Sequence, residues 1–203
     1  GLIEPTGKCR EGYYCGGGSA VPMPHESSHS DGTESSYTGD SCVLPLEMPN
    51  DICPPGHYCP EGSNEPQPCP AGTNSTSMGL TNVSQCLPCT AGYYCPTNGT
   101  INATTLCPQG YFCPAGTNTY TLECPTGSYC EAGSAFPVSC PAGKCQNKTT
   151  QYDCETCPTK YYCEINTTEP VACPEGSYCP EGTRYSNEYL CPNGTYNPYT
   201  LIG

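Results

Sequence analysis

Apolar residues are sparse in this chain, and they recur together with cysteine in a short repeating segment. The pattern Cys-Pro-x-Gly-x-Tyr-Cys returns with steps of 16, 20, 18, 17, 16, 17, 16 and 18 residues between successive first cysteines. These first cysteines are Cys53, Cys69, Cys89, Cys107, Cys124, Cys140, Cys157, Cys173 and Cys191. Because repeats this short cannot each enclose a core, the period predicts a linear array in which each repeat contacts only its neighbours.

The residues inside a repeat predict turns and short paired strands. Proline after the first cysteine fixes φ, and the glycine two residues later permits a positive φ or a close backbone approach. An aromatic ring usually precedes the second cysteine, where it can cover a disulfide or the next repeat. The residues at this place are Tyr58, Tyr94, Phe112, Tyr129, Tyr162 and Tyr178. With 17 Tyr and no Trp in the chain, we expect stacked tyrosines to be the nearest equivalent of a core.

Proline and glycine, at 24 and 23 residues, exclude long helices. We therefore expect small disulfide-rich repeats in an elongated, rod-like or solenoid-like array of short β-ribbons and turns, with almost no helix. Three segments are predicted. Residues 1–15 form a partial cysteine-rich repeat, and 16–52 form an insertion and connector rich in Ser, Thr, Gly and Pro. Residues 53–203 form the tandem array, which we expect to continue beyond 203.

Cysteine is expected to take the place of a hydrophobic core. Leu, Ile, Val and Phe together number 21, which equals the number of cysteines. So little apolar surface cannot offset the conformational entropy of folding. Dense disulfides are typical of secreted chains, and each short loop should stabilise the fold by roughly 2–3 kcal/mol. The composition therefore predicts an extracellular protein, secreted or at the cell surface.

Seven Asn-x-Ser/Thr sequons support passage through a eukaryotic secretory pathway. They begin at Asn74, Asn82, Asn98, Asn102, Asn147, Asn166 and Asn193. We expect most of them to carry N-glycans, and the Ser/Thr/Pro-containing insertion is a candidate for O-glycans.

Charge and cysteine chemistry exclude several classes of function. The net charge is −13 with six basic residues, so nucleic acid and anionic membrane surfaces are poor partners. No apolar run reaches membrane-spanning length. Cys86-x2-Cys89 and Cys154-x2-Cys157 have zinc-like spacings, but an oxidising compartment favours disulfides over zinc. Oxidised cysteines cannot serve as nucleophiles, so we expect neither a cofactor nor an enzyme.

Two disulfide schemes fit the cysteine spacing. In the first, the second cysteine closes a short loop, and a longer loop replaces it where that cysteine is missing. This scheme pairs Cys9–Cys15, Cys53–Cys59, Cys69–Cys86, Cys89–Cys95, Cys107–Cys113, Cys124–Cys130, Cys140–Cys154, Cys157–Cys163 and Cys173–Cys179. A rival scheme joins each second cysteine to the next repeat, as in Cys59–Cys69. The rival leaves Cys86 and Cys89 unpaired, which favours the first scheme, although sequence alone does not fix connectivity.

The first scheme leaves three cysteines unassigned or available for intermolecular bonds: Cys42, Cys145 and Cys191. By analogy with the two longer loops, the partner of Cys191 would lie beyond Gly203. Joining the C-terminus to the N-terminus of a copy would place Cys191 21 residues before the next Cys9. That distance nearly equals the 20-residue step from Cys69 to Cys89. We therefore hypothesise that the array continues end to end, covalently or by contact between copies.

Residues 69–73 and 86–95 carry a resemblance to a known family. They read Cys-Pro-Ala-Gly-Thr and Cys-Leu-Pro-Cys-Thr-Ala-Gly-Tyr-Tyr-Cys. This pattern resembles the ephrin-receptor-like cysteine-rich repeat, over residues 53–203 and partly over 1–15. The resemblance implies a small disulfide-rich fold and no catalytic or ligand residues. Repeats of this type occur in receptor ectodomains, in matrix proteins, and in protist or algal surface and flagellar-hair (mastigoneme-like) proteins. The dense Cys-Pro-x-Gly-x-Tyr-Cys pattern favours the protist group.

Two functions are compatible with these features. The first is a structural subunit or repeat segment of an extracellular glycosylated filament, hair or coat that assembles head to tail. The alternative is the cysteine-rich stalk of a cell-surface receptor or adhesin, which would hold out a separate ligand-binding domain.

Overall fold

The computed structural model describes residues 7–16 and 51–197, and this part of the chain is almost free of helix. Twelve strands of two residues each are present there. In chain order, β1 to β12 are Tyr13–Tyr14, Asp51–Ile52, His57–Tyr58, Gln67–Pro68, Thr73–Asn74, Leu87–Pro88, Ser128–Tyr129, Val138–Ser139, Lys144–Cys145, Glu155–Thr156, Tyr161–Tyr162 and Val171–Ala172. A 3₁₀ helix at Val83–Gln85 is the helical element among these residues. The predicted fold class, small disulfide-rich repeats built of short β-ribbons, is confirmed.

Every strand belongs to a two-stranded antiparallel ribbon that spans one repeat. The two residues before the second cysteine position pair with the two residues before the next repeat. In β3 and β4, His57 pairs with Pro68 and Tyr58 pairs with Gln67. Three further repeats have a single bridge in the same place, at Tyr93–Leu106, Tyr111–Glu123 and Ser177–Leu190. A repeat of 16 to 20 residues leaves room for one short ribbon between its turns, which explains why no larger sheet forms within a described repeat.

Successive repeats are joined by the same pair of backbone hydrogen bonds. Gly110 donates its N–H to the Cys130 carbonyl oxygen at 2.8 Å, and Cys124 donates to the Gly110 carbonyl oxygen at 2.9 Å. Both bonds recur in nine repeats of the described residues, around Gly12, Gly56, Gly72, Gly92, Gly110, Gly127, Gly143, Lys160 and Gly176. We call this pair of bonds the repeat junction.

The junction glycine has a backbone conformation and surroundings that exclude a side chain. Gly110 has a φ of +83°, and a Cβ built there would lie 2.4 Å from the Thr150 carbonyl oxygen. Thr150 belongs to the repeat after next, the one that begins at Cys140. Gly56 meets Gly99 in the same way, again at 2.4 Å. The expectation that a repeat contacts only its immediate neighbours is therefore wrong, because the turn after the second cysteine position reaches one repeat further.

The chain divides into two compact units, Gly1–Cys89 with Cys95–Ala103 and Thr90–Tyr94 with Thr104–Gly203. In both, the buried apolar residues are cysteines, with Leu80 as the one other member in the described part. Tyr58 packs against the cluster of Leu80 and its neighbouring disulfide in the first unit. The described tyrosines are half-buried or exposed, so the expectation that they are the nearest equivalent of a core is wrong. Sulfur is small enough to fill the narrow space between two turns, whereas a phenol ring is not.

The described residues on the two sides of the insertion belong to one ribbon and one junction. β1 pairs with β2, so Tyr13 lies opposite Ile52. Gly12 donates to the Cys59 carbonyl oxygen at 2.8 Å, as in any other junction. The first repeat is thus joined directly to the Cys53 repeat. Asp51 and Ile52, which the sequence assigned to the connector, lie in this ribbon. Residues 17–50, with the apolar connector run, lie outside the described residues.

Replacing the insertion with an ordinary connection is expected to leave the first repeat folded. In the variant, a copy of 60–66 would replace residues 16–50. Shortening this segment about fivefold lowers the entropic cost of loop closure by about 1.4 kcal/mol, so thermal stability should be equal or slightly higher. Peptide mapping and thermal melts of both chains without reductant test this. Loss of the Cys9–Cys15 bond in the variant would show that the insertion supports the junction.

Candidate functional site

The disulfides close the repeats one by one. Within 7–16 and 51–197 there are nine: Cys9–Cys15, Cys53–Cys59, Cys69–Cys86, Cys89–Cys95, Cys107–Cys113, Cys124–Cys130, Cys140–Cys154, Cys157–Cys163 and Cys173–Cys179. These are the pairs of the first scheme, and seven of them join residues six apart. The cysteines of the two zinc-like spacings are all oxidised in these bonds. No group of three or more His, Cys, Asp or Glu with metal-binding geometry occurs among the described residues.

Three polar residues occupy the second cysteine position where that cysteine is missing: Ser75, Gln146 and Asn197. Gln146 is 2% exposed, and its Nε2 donates to the Asp153 carbonyl oxygen at 2.9 Å. Ser75 is 3% exposed, and its Oγ accepts from the Ser77 N–H at 3.2 Å. Asn197 donates from Nδ2 to the Ser177 carbonyl oxygen at 2.8 Å. Each of the three also accepts the junction bond through its own carbonyl oxygen.

Gln146 and Asn197 therefore bind backbone carbonyl oxygens with the side chain that stands in place of the second cysteine, while the Cys69 and Cys140 repeats are closed by the two longer disulfides. Sequence reasoning missed this role. The signal is present in the sequence, because in an alignment of the repeats these three residues fall in the column of the second cysteine.

Two cysteines have no disulfide partner in the described part of the chain, Cys145 and Cys191. Cys145 stands in the aromatic position of its repeat and is 6% exposed. It packs against Cys157 and Cys163, with Tyr161 alongside. Burial raises the pKa of the Cys145 thiol, and the nearby carboxylates of Glu155 and Glu169 raise it further. Cys191 is partly exposed. Cys42, the third unassigned cysteine, lies outside the described residues.

Iodoacetamide at pH 8 is expected to alkylate Cys191 at least severalfold faster than Cys145. A raised pKa leaves less thiolate at a given pH, and the thiolate is the reactive form, so Cys145 should react slowly until the pH approaches its pKa. Quantitative mass spectrometry of the two peptides measures the rates. Equal rates in denaturant are the control, and equal rates in the folded protein would contradict the buried position of Cys145.

The predicted glycosylation sites lie mainly on the surface. Asn82, Asn98, Asn102, Asn147, Asn166 and Asn193 are exposed. Asn74 is only partly exposed, and its Nδ2 donates to the Ile101 carbonyl oxygen at 3.3 Å. Asn98 accepts from the Ala71 N–H through Oδ1, which leaves its Nδ2 available. Attachment of a glycan at Nδ2 is therefore hindered chiefly at Asn74.

Glycan occupancy is expected to be lowest at Asn74 and higher at the exposed sites. Folding competes with transfer of the glycan to Asn74, because the Asn74 Nδ2 that would carry the glycan donates to the Ile101 carbonyl oxygen in the folded chain. Enzymatic deglycosylation in H₂¹⁸O, followed by mass spectrometry, gives the occupancy of each sequon. The exposed sequon at Asn102, in the bend next to Ile101, is the internal control. Higher occupancy at Asn74 than at Asn102 would contradict the hydrogen-bonded arrangement.

Within residues 7–16 and 51–197, no helix is both long enough and apolar enough to cross a membrane.

The fold and these sites define a cysteine-rich, disulfide-rich repeat protein. No family model matches the chain. Over 98 residues, 46% of the chain, it is 34% identical to cysteine repeat modular protein A of Toxoplasma gondii, and the match spans 3% of that protein's length. This similarity supports a cysteine-rich repeat protein without extending to the ephrin-receptor-like type. The features together are consistent with an extracellular structural or surface repeat protein.

Proposed function

We propose that this chain is a repeat segment of an extracellular, glycosylated filament, hair or coat in which repeats assemble head to tail. The observation that carries the proposal is the repeat junction, whose two hydrogen bonds recur around nine successive repeats. Nothing about such a junction depends on a particular neighbour, because both bonds are made by backbone atoms. A further repeat can therefore be added at either side by the same contacts.

Disulfide closure limits how far a repeat can extend when the chain is pulled. Seven bonds join cysteines six residues apart, so a pulled repeat can release only its short connecting segment and not its closed loop. Glycans at exposed sequons would shield the ribbon edges from proteases and from lateral pairing. This combination suits a load-bearing surface structure, and it agrees with the protist surface resemblance.

The way junction glycines are covered supports end-to-end assembly. At six of them in the described part, a carbonyl oxygen from the repeat after next lies against the glycine: Gly12, Gly56, Gly92, Gly110, Gly127 and Gly143. Gly176 makes the same two junction bonds, and its φ is +74°. We infer that Gly176 is covered in the same way by a turn of the second repeat after its own, from the same chain or from a copy.

Electron microscopy of the secreted, glycosylated protein without reductant tests the proposal. Filaments with a regular axial repeat are expected. A Gly176→Asn variant, whose side chain tolerates a positive φ, should shorten or abolish them while leaving the disulfides intact. Gly182→Asn is the matched control, since its φ is +79° and the nearest atom to its Cβ, in Thr156, is 3.7 Å away. Isolated short particles for the unmodified protein would contradict filament assembly.

The receptor or adhesin stalk remains a second candidate because of one finding. The similar Toxoplasma protein is named modular, and the match spans a small fraction of it. Isolated particles of uniform length in the same micrographs would favour this function.

A further inference from the structure

A groove on the surface of the second compact unit has a lining unlike the rest of the array. Its volume is about 360 Å³, and it is open to solvent on one side. The lining residues are Tyr129, Glu131, Pro141, Lys144, Tyr152 and Asp153. Tyr129 and Glu131 come from the Cys124 repeat. The other four lie within the loop that the Cys140–Cys154 disulfide closes.

This groove occurs where the sequence departs most from the repeat. The Cys140 repeat has Lys144 where other repeats have small or aromatic residues, and Gln146 in the second cysteine position. The chain has only six basic residues, and Lys144 and Lys148 both lie in this loop. Lys144 Nζ lies 3.3 Å from the Asp153 carboxylate, which also accepts the Cys154 N–H at 2.7 Å. One of the few positive charges of the chain, on Lys144, thus lies in a groove that is also lined by two acidic residues and two tyrosines.

Several of these side chains have no aromatic or ionic partner among the described residues. Tyr152 is 55% exposed, and neither it nor Tyr129 takes part in an aromatic pair of the described residues. Within 51–197 the Glu131 carboxylate makes no ion pair. Two tyrosines and several polar residues therefore line one concave surface.

The chemistry of this lining fits a neutral sugar better than an ion. A pyranose ring has an apolar C–H face that packs on aromatic rings, and its edge carries hydroxyls that carboxylates and an ammonium group can bind. An anionic ligand would meet Glu131 and a chain of net charge −13. A cationic ligand would meet Lys144. A groove of this volume accommodates one or two pyranose rings.

We propose that the groove lined by Tyr129, Glu131, Lys144, Tyr152 and Asp153 is a binding site for a neutral saccharide. Tyr152 supplies the stacking face, and Glu131 with the Lys144–Asp153 pair binds the ring hydroxyls. The site does not depend on filament assembly, since all six lining residues belong to two adjacent repeats. Affinity should be modest, with a Kd of about 1 mM, because the groove is shallow and open.

NMR titration of the full chain tests this site. The probes are N,N′-diacetylchitobiose, cellobiose and mannobiose, each added to the protein before and after removal of its N-glycans. The second arm is needed because Asn147 lies in the same disulfide loop, so a glycan attached there can occupy the groove. Saturable shifts at Tyr129 and Tyr152 with at least one sugar are expected, in one arm or in both.

Three variants distinguish stacking from a structural role. Tyr152→Ala should weaken binding at least about tenfold, whereas Tyr152→Phe, which keeps the ring, should stay within about threefold of the unmodified protein. Glu131→Gln should also weaken binding while leaving the fold unchanged. Tyr185→Ala is the matched control, because Tyr185 is 50% exposed and lies outside the groove. The proposal is overturned if no sugar binds in either arm, if Tyr152→Ala binds normally, or if only the cation Nα-acetyl-lysine methylamide binds.

Discussion

Replacing Gly110 with alanine is expected to destabilise the chain by about 3 kcal/mol or more, and to reduce secretion sharply. A φ of +83° costs an L-residue roughly 1–2 kcal/mol, and overpacking adds about 1–3 kcal/mol. The added Cβ would lie 2.4 Å from the Thr150 carbonyl oxygen and 2.9 Å from its carbon. Thr150 cannot yield easily, because its N–H is bonded to the Cys124 carbonyl oxygen at 2.9 Å.

Gly182→Ala is the matched control for this substitution. Its φ is +79°, and the nearest atom to a built Cβ, the Thr156 methyl carbon, is 3.7 Å away, which is an ordinary van der Waals contact. It should therefore carry only the conformational cost, about 1–2 kcal/mol. Denaturant unfolding without reductant, together with secretion yield, separates the two variants. Equal losses would mean that the contact between a repeat and the second repeat after it does not exist in solution.

Reduction of the disulfides is expected to abolish the folded structure completely. The buried apolar residues of the described part are cysteines apart from Leu80, and all of these cysteines except Cys145 are in disulfides, so little hydrophobic core remains when these bonds are broken. Each bond stabilises by roughly 2–3 kcal/mol in the chain-entropy model, and nine of them exceed the typical stability of a domain. Circular dichroism and hydrogen exchange, with and without a phosphine reductant, measure the loss.

A chelator serves as the control for reduction. It is expected to change neither spectrum nor exchange, because the cysteines at zinc-like spacings are held in disulfides. Loss of structure in chelator alone would show that metal, and not sulfur–sulfur bonding, holds the repeats. Retention of protected amides after full reduction would show that the ribbons are stable by themselves.

The period of the cysteines made the fold class predictable. Cysteine spacing, junction glycines and proline-rich turns are local features, and a two-residue ribbon needs no partner distant in sequence. The short loops in the pairs Cys53–Cys59 and Cys107–Cys113 follow from spacing alone. The two longer loops are predicted by the positions of Cys86 and Cys154, which appear only where the second cysteine of a repeat is missing.

Other features depended on contacts that spacing does not encode. Thr150 covers Gly110 from two repeats away. The repeat period alone does not indicate how far the turn that contains Thr150 extends. Gln146 looks like an unremarkable surface amide in the sequence, yet it is buried in a cysteine position. The groove beside Tyr152 could not be predicted either, because its lining comes from two repeats whose relative placement only the junction fixes.

Disulfide mapping of the native protein by mass spectrometry, without reduction, is the most direct test of whether each repeat is closed by its own disulfide. Digestion at acidic pH prevents exchange, and each linked peptide pair then reports one bond. Closed repeats are expected, with Cys53 linked to Cys59, Cys140 linked to Cys154, and Cys145 as a free thiol. Links between successive repeats, such as Cys59 to Cys69, would contradict this expectation, because the repeats would then be joined by sulfur and not by the backbone junction.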